Sequence, residues 1–204
     1  MKKAIDKSIA QTGAPTFGQQ GFTLIELMVT IAIVAVLMSI AVPSMRTYVL
    51  NNRLNSASQE FLRTLQTARS EATKRGRNVV VCPSANPLAG AASRCTTGTP
   101  NGWIMFDDVD SNGDNSNATE LLSAHSFDSS KMTMAIDAPV SYATTGFANV
   151  GSGQAMVMCD SRGNVDSSGG TTQTNSVARG IAITPTGRAR ITKVLSEITT
   201  LGGC

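Results

Sequence analysis

The stretch Gly21-Phe22-Thr23-Leu24-Ile25-Glu26-Leu27-Met28-Val29 opens an apolar run that constrains everything else in the chain. From Phe22 to Val42 only Thr23, Glu26, Thr30 and Ser39 are not plainly apolar. At about 1.5 Å rise per residue, a helix of this length spans roughly the hydrocarbon core of a bilayer. One carboxylate, Glu26, sits near its start. A charge within a membrane-length helix is costly, which makes Glu26 a candidate functional residue. Lys2, Lys3 and Lys7 outnumber Asp6 ahead of the run, and such positive charge holds an N-terminus in the cytoplasm. An ordinary signal peptide has a shorter apolar region followed by a small-residue cleavage site, whereas here Gly21 precedes the run.

Beyond Pro43 the pattern turns amphipathic. Leu50, Leu54, Ala57, Phe61, Leu65, Ala68 and Ala72 recur at intervals of three or four, with Arg53, Ser56, Glu60 and Arg63 between them. This is one apolar face of a continuing helix. It is expected to end near Lys74-Arg75-Gly76, with cations in the last turn and Gly as the cap. Pro43 lacks an N–H and clashes with the carbonyl four residues back, so a kink or loosening is expected near the membrane exit. The later chain reads as short strands: Asn78 to Cys82, Trp103 to Phe106, Leu121-Leu122, Met132 to Ile136, Ala155 to Cys159, Ile181 to Thr184 and Arg188 to Val194. Pro83 to Thr99 and the Ser/Gly/Thr-rich Gly163 to Ser176 read as loops.

All four cysteines follow the apolar run, which suggests oxidising surroundings and disulfides. Three pairings are open. Cys82–Cys95, closing a short loop, with Cys159–Cys204, tying down the C-terminal region, is favoured over the other two and over buried free thiols. A metal site has little to build on, because no CxxC occurs and His125 is the sole histidine.

At the front of the chain, Gly21-Phe22-Thr23-Leu24-Ile25-Glu26 resembles the processing site of type IV prepilins and type II secretion pseudopilins. The resemblance implies cleavage after Gly21 by a prepilin peptidase and methylation of the new N-terminus at Phe22. It implies that Glu26, fifth in the processed chain, registers the subunit in a growing filament by pairing with a neighbour's N-terminal amine. Pro43 matches a further pilin feature. Four later segments narrow the likeness: Val81-Cys82-Pro83-Ser84, Gly102-Trp103-Ile104-Met105-Phe106-Asp107, Cys159-Asp160-Ser161-Arg162-Gly163 and Thr186-Gly187-Arg188-Ala189-Arg190. Together they resemble the GspH/FimT/FimU family of minor pilins.

The expected fold is therefore α+β and pilin-like: a long N-terminal helix packed on a small antiparallel β domain. The expected divisions are a leader over 1–21, a transmembrane or filament-core helix over 22–43, its amphipathic continuation over 44–76, and a β domain over 77–204. The resemblance implies partners: major and minor pilins, the prepilin peptidase, the inner-membrane assembly platform, and the membrane itself before assembly. It places the chain in a bacterial inner membrane, N-terminus cytoplasmic, and then in a pilus with the β domain outside. A type II secretion pseudopilin is the alternative.

Two further constellations carry chemistry. Asp108-Val109-Asp110-Ser111-Asn112-Gly113-Asp114 resembles the start of an EF-hand loop, making Asp108, Asp110 and Asn112 the calcium candidates. The terminal acid is out of register, since Thr119 holds the twelfth position, and an acidic hairpin loop is the competing reading. Near the C-terminus, Arg188 and Arg190 fall on one face of a strand, with Lys193 and Arg179 as neighbours able to join them. Two guanidiniums about 7 Å apart along a strand match neighbouring phosphates. The Gly-Arg-x-Arg likeness to FimT-type pilins implies capture of double-stranded DNA for transformation. The competing reading is an edge strand protected by charge. Catalysis has little support: His125 lies alone in an acidic, Ser-rich segment, and Gly146, Gly151 and Gly153 read as turn formers. Neither enzyme activity nor a cofactor is expected. Asn117-Ala118-Thr119 fits a glycosylation sequon that a prepilin context argues against.

Overall fold

The computed structural model describes residues 21–96, 98–115, 120–136, 138–150, 154–164 and 174–204. The leader up to residue 20, the sequon at 117–119, Gly151, Gly153 and most of the expected loop at 163–176 lie outside them.

One helix, α1, runs from Leu24 to Arg75. Thr23 caps it, its Oγ1 accepting the backbone N–H of Glu26 at 3.2 Å. Glu26 thus occupies the third helical position, where a negative charge meets the positive end of the helix dipole. Pro43 lies inside the helix, and the helical assignment continues through it. The other end follows the expected chemistry. Gly76 takes a left-handed φ of 64°, and its N–H bonds to Ala72 O at 3.0 Å.

The chain divides into two units at Met45/Arg46. In the first, the apolar side chains of the helix are exposed. Among the described residues, α1 is the one helix long and apolar enough to cross a membrane.

The second unit is built on the rest of α1 and two antiparallel sheets. Strands β1 (Asn78–Ser84), β2 (Gly102–Asp108), β3 (Leu121–Ser126), β5 (Val140–Tyr142) and β6 (Ala148–Asn149) form a sheet of order β3-β2-β1-β5-β6. Strands β4 (Thr133–Ile136), β7 (Gln154–Cys159), β8 (Asn175–Ile183) and β9 (Ala189–Val194) form a second, of order β4-β7-β8-β9. Leu54, Phe61, Leu65, Ala68 and Ala72 of α1 pack in one core with residues of both sheets. That set is the amphipathic stripe visible in the sequence.

Each sheet also buries residues on a second face. Val79 and Val81 join the main core, while Val80 and Cys82 pack with Ile104 and Phe106 in a separate cluster. Strand β1 is therefore apolar without alternation because both its faces are covered. The Cys82–Cys95 disulfide closes the loop over this cluster. On the second sheet, Val157, Cys159 and Ala178 pack against Ile198 of a short helix, α2 (Leu195–Thr200). The Cys159–Cys204 disulfide fastens the chain beyond α2 to β7. Gly180 makes this close approach feasible: a β-carbon there would lie 2.9 Å from Thr192 Cγ2 and 3.1 Å from Ile198 Cγ1.

Several elements depart from the sequence expectation: β8 begins at Asn175, inside the expected loop 163–176, and β3 runs on to Ser126. Strands β5 and β6 have three and two residues, too short for a periodicity to register. Helix α2 has no side-chain N-cap, and its buried residue Ile198 ties it to the sheet. Tertiary packing makes it, not propensity.

Candidate functional site

Three groups of residues were singled out by the sequence, and they fall in different places. At the start of α1, Phe22 is 85% exposed and Glu26 is also exposed. An apolar helix of this kind is stable in lipid or against other helices, not in water.

The acidic loop after β2 satisfies its own carboxylates. Asp108 Oδ1 accepts the N–H of Gly113 at 3.1 Å, and Asp110 Oδ2 accepts Asn112 Nδ2 at 2.7 Å. Asn112 Oδ1 in turn accepts the N–H of Asp114 at 2.7 Å. Two of the calcium candidates form Asx turns, Asp110 Oδ1 accepting the N–H of Asn112 and Asn112 Oδ1 that of Asp114. Among the described residues no cluster of three or more His, Cys, Asp or Glu side chains is placed to hold a metal.

The basic segment is placed on β9, an edge strand, and on the turn before it. Ala189 and Ile191 pack toward the main core, so Arg190 and Thr192 face the other way, toward α2. Arg188 stands in the turn, exposed. Arg190 is exposed but engaged: its Nη2 meets Glu197 Oε1 of α2 at 2.9 Å. The Arg190 guanidinium, with a further bond from Thr192, holds the Glu197 carboxyl below the usual carboxylate value. Lys193 is exposed near the strand end, on the alternate side.

Arg179 does not join this patch. It is 4% exposed, and three hydrogen bonds engage its guanidinium. Nε donates to Asn55 Oδ1 of α1 at 2.8 Å, and Nη1 donates to the carbonyls of Val177 and Ala178. Burial, with Arg162 nearby, holds its pKa below the usual arginine value. Arg162 makes a parallel link, bonding Asp160 at 2.6 Å and Asn51 at 3.1 Å. The two arginines pin the second sheet to α1. Counting Arg179 as a phosphate contact is corrected: a buried cation with three acceptors cannot reach a polymer outside.

His125 is likewise structural. Its Nδ1 lies 3.0 Å from Glu60 Oε1, its Nε2 lies 3.0 Å from Ser123 Oγ, and its ring stacks on Trp103. Trp103 Nε1 donates to Thr64 Oγ1 at 3.1 Å, so this cluster holds the first sheet to α1.

Two residues outside the sequence-based set stand at the turn of Arg188. One is Arg69 of α1, whose Nε would lie 3.3 Å from a β-carbon on Gly187. The other is Phe147, which is 56% exposed on the β5–β6 hairpin. The available signal was a shared loop pattern, Thr-x-Thr-Gly-Arg-Ala at 184–189 and Ala-x-Thr-Gly-Phe-Ala at 143–148.

Comparison with known proteins adds the following. Residues 57–187 match the family model described as type II transport protein GspH, and residues 16–42 match the prokaryotic N-terminal methylation motif. Two curated fimbrial proteins of Pseudomonas aeruginosa are each 39% identical over 62 residues, covering 30% of this chain and 40% of each relative. The chain thus spans about two fifths of the length of these relatives. Among solved structures, the type IV minor pilin FimU of P. aeruginosa superposes with a TM-score of 0.47 at 19% identity, covering 71% of this chain and 91% of that one. The minor pseudopilin EpsH of the Vibrio cholerae type 2 secretion system gives 0.40 at 11% identity, covering 69% and 96%.

Proposed function

The chain belongs to the GspH family, and from that premise we propose that it is a minor pilin, incorporated at low abundance into a type IV pilus and helping to start its assembly. The family associates with other pilins in a pilus or pseudopilus, and the N-terminal motif with its apolar helix marks a membrane-anchored subunit. The observation that carries the reading is the exposure of α1. Its large apolar side chains from Phe22 to Val49 are 46–85% exposed. A surface of that kind needs lipid first and neighbouring helices afterwards.

In this reading the prepilin peptidase cleaves after Gly21 on the cytoplasmic side, and Phe22 becomes the methylated N-terminus. The amine of Phe22 pairs with Glu26 of an adjacent subunit at the assembly platform. In an apolar setting a carboxylate and an ammonium are far better paired than apart. Such pairing fixes the axial register of one subunit against the next. The name of the curated relatives, fimbrial protein, supports the pilus. The matched family's own description supports the second reading, a minor pseudopilin of a type II secretion system.

A binding role fits on the same subunit. Arg188 and Lys193 are exposed, and Arg190 is held only by a surface pair, which supports capture of DNA through phosphate contacts. Such binding is salt-sensitive and weakly selective for sequence.

Deletion of the gene tests the assignment. Loss of surface pili and twitching is expected, with protein secretion intact; lost secretion with normal pili would replace the pilus by the pseudopilus. A Glu26→Val chain is expected to be processed yet poorly incorporated, as read from sheared filaments. Normal incorporation would remove the registration role.

A further inference from the structure

The hairpin turns β5–β6 and β8–β9 are the same turn made twice. In the first, Ala143 N–H donates to Phe147 O at 2.8 Å and Gly146 N–H to Ala143 O at 2.8 Å. In the second, Thr184 N–H donates to Arg188 O at 2.9 Å and Gly187 N–H to Thr184 O at 2.8 Å. Gly146 and Gly187 have φ of 78° and 79°, the left-handed conformation that closes a three-residue hairpin loop. The pairs leaving each turn also correspond, Tyr142 with Ala148 and Ile183 with Ala189. Phe147 and Arg188 are therefore equivalent positions of matched turns.

The two turns, from different sheets, are packed together. Ala148 N–H donates to Pro185 O at 3.0 Å. A β-carbon on Gly187 would lie 2.2 Å from Gly146 O, so the backbones meet glycine to glycine. Arg69 closes the set from α1: its Nε would lie 3.2 Å from a β-carbon on Gly146 and 3.3 Å from one on Gly187. Around this contact Thr144, Thr145, Thr184 and Thr186 are exposed, and neither turn carries a carboxylate.

We infer that this paired turn is a binding site for single-stranded DNA, with Arg188 and Arg69 holding phosphate and the exposed ring of Phe147 stacking on an unpaired base. The inference rests on the DNA reading above and deepens it by naming the strand state. A guanidinium alone reads backbone charge and gains nothing from an unpaired base. An exposed ring beside it adds an interaction that only an unstacked base can satisfy. The turn backbones that carry Arg188 and Phe147 are packed together, so the spacing of these two positions is set before the ligand arrives. Threonine hydroxyls around them supply donors for the backbone.

The test uses the full-length chain in detergent micelles, with a labelled oligodeoxythymidylate and a blunt duplex of equal length. Single-strand binding is expected to be the tighter of the two. Phe147→Ala is expected to weaken single-strand binding about tenfold and duplex binding less than twofold, with Phe147→Trp restoring it. Because Phe147 is exposed, circular dichroism of the variant is expected to match the parent. Arg188→Gln is expected to weaken both ligands. If Phe147→Ala changes nothing, or weakens both ligands equally, the stacking site is overturned while DNA capture through arginine stands. If the parent chain binds neither ligand, the DNA reading itself falls and takes this inference with it.

Discussion

Arg179 Nε donates to Asn55 Oδ1 at 2.8 Å, joining residues 124 positions apart in the chain. The pair fastens β8 to the helix at the margin of the core, with Arg179 buried and Asn55 exposed. A charge placed this way serves the fold and is withdrawn from binding.

Replacing Arg179 with Leu leaves Asn55 and two carbonyls without their donor. Asn55 is exposed and can turn to water, so the cost falls on the buried Ala178 carbonyl, and a loss of about 1–3 kcal/mol is expected. Urea unfolding followed through Trp103, the sole tryptophan, measures it. An unchanged midpoint would mean that water replaces the guanidinium without loss.

In the DNA-binding reading, Glu197 competes with phosphate for Arg190. Glu197→Gln is expected to tighten DNA binding two- to fivefold by releasing the guanidinium. The pair also has a pH dependence of definite sign. The Glu197 carboxyl titrates below its ordinary value in the folded chain, chiefly through Arg190. Its contribution is therefore complete above the ordinary carboxylate range and lost as pH falls through the lowered value. Carboxyl chemical shifts across an acid titration check this, with Arg190→Gln expected to return Glu197 toward the ordinary value.

Tyr142 is 0% exposed, and burial pushes its phenol up to about 12. Stability is expected to hold below pH 10 and to fall as pH rises from about 10 to about 12, because only the unfolded chain ionises the phenol freely in that window. Ultraviolet titration of a Tyr48→Phe chain, in which Tyr142 is the sole tyrosine, should show the phenolate forming only at about 12 or on unfolding. Its forming near pH 10 would contradict the burial of Tyr142.

The two disulfides close loops of different length, with sequence separations of 13 and 45. Loop-closure entropy gives about 3 kcal/mol for the shorter and about 4 kcal/mol for the longer as upper values. Serine at both Cys159 and Cys204 is expected to destabilise more than serine at Cys82 and Cys95. It should also raise hydrogen exchange in α2 ahead of the sheets, since that bond fastens the chain just beyond α2. Exchange mass spectrometry decides the order.

What the sequence disclosed depended on how locally each feature is encoded. The helix was legible because its apolar run and its stripe from Leu54 to Ala72 repeat at helical spacing. Its cap was legible in Lys74-Arg75-Gly76. The family was legible because Gly21 and Glu26 sit at fixed distances from the run. Strand β1 was visible as Val79-Val80-Val81, though not that it is covered on both faces. Arg179 was misread because its partner lies on another element, and a charge count cannot see burial. Helix α2 was missed because Ile198, not a capping residue, holds it in place. The paired turns were missed for a similar reason. Each loop is unremarkable alone, and only the close approach of Gly146 to Gly187 turns two loops into one surface.

The buried residues of α1 begin at Leu54, and none precedes it. The apolar run of α1 therefore contributes no buried side chain to the tertiary core. In the proposed pilin role, its surroundings change from acyl chains to other helices without uncovering any buried side chain. A filament of such subunits would then grow and shorten by exchanging the solvent of one half of a helix, leaving the packed half as it was.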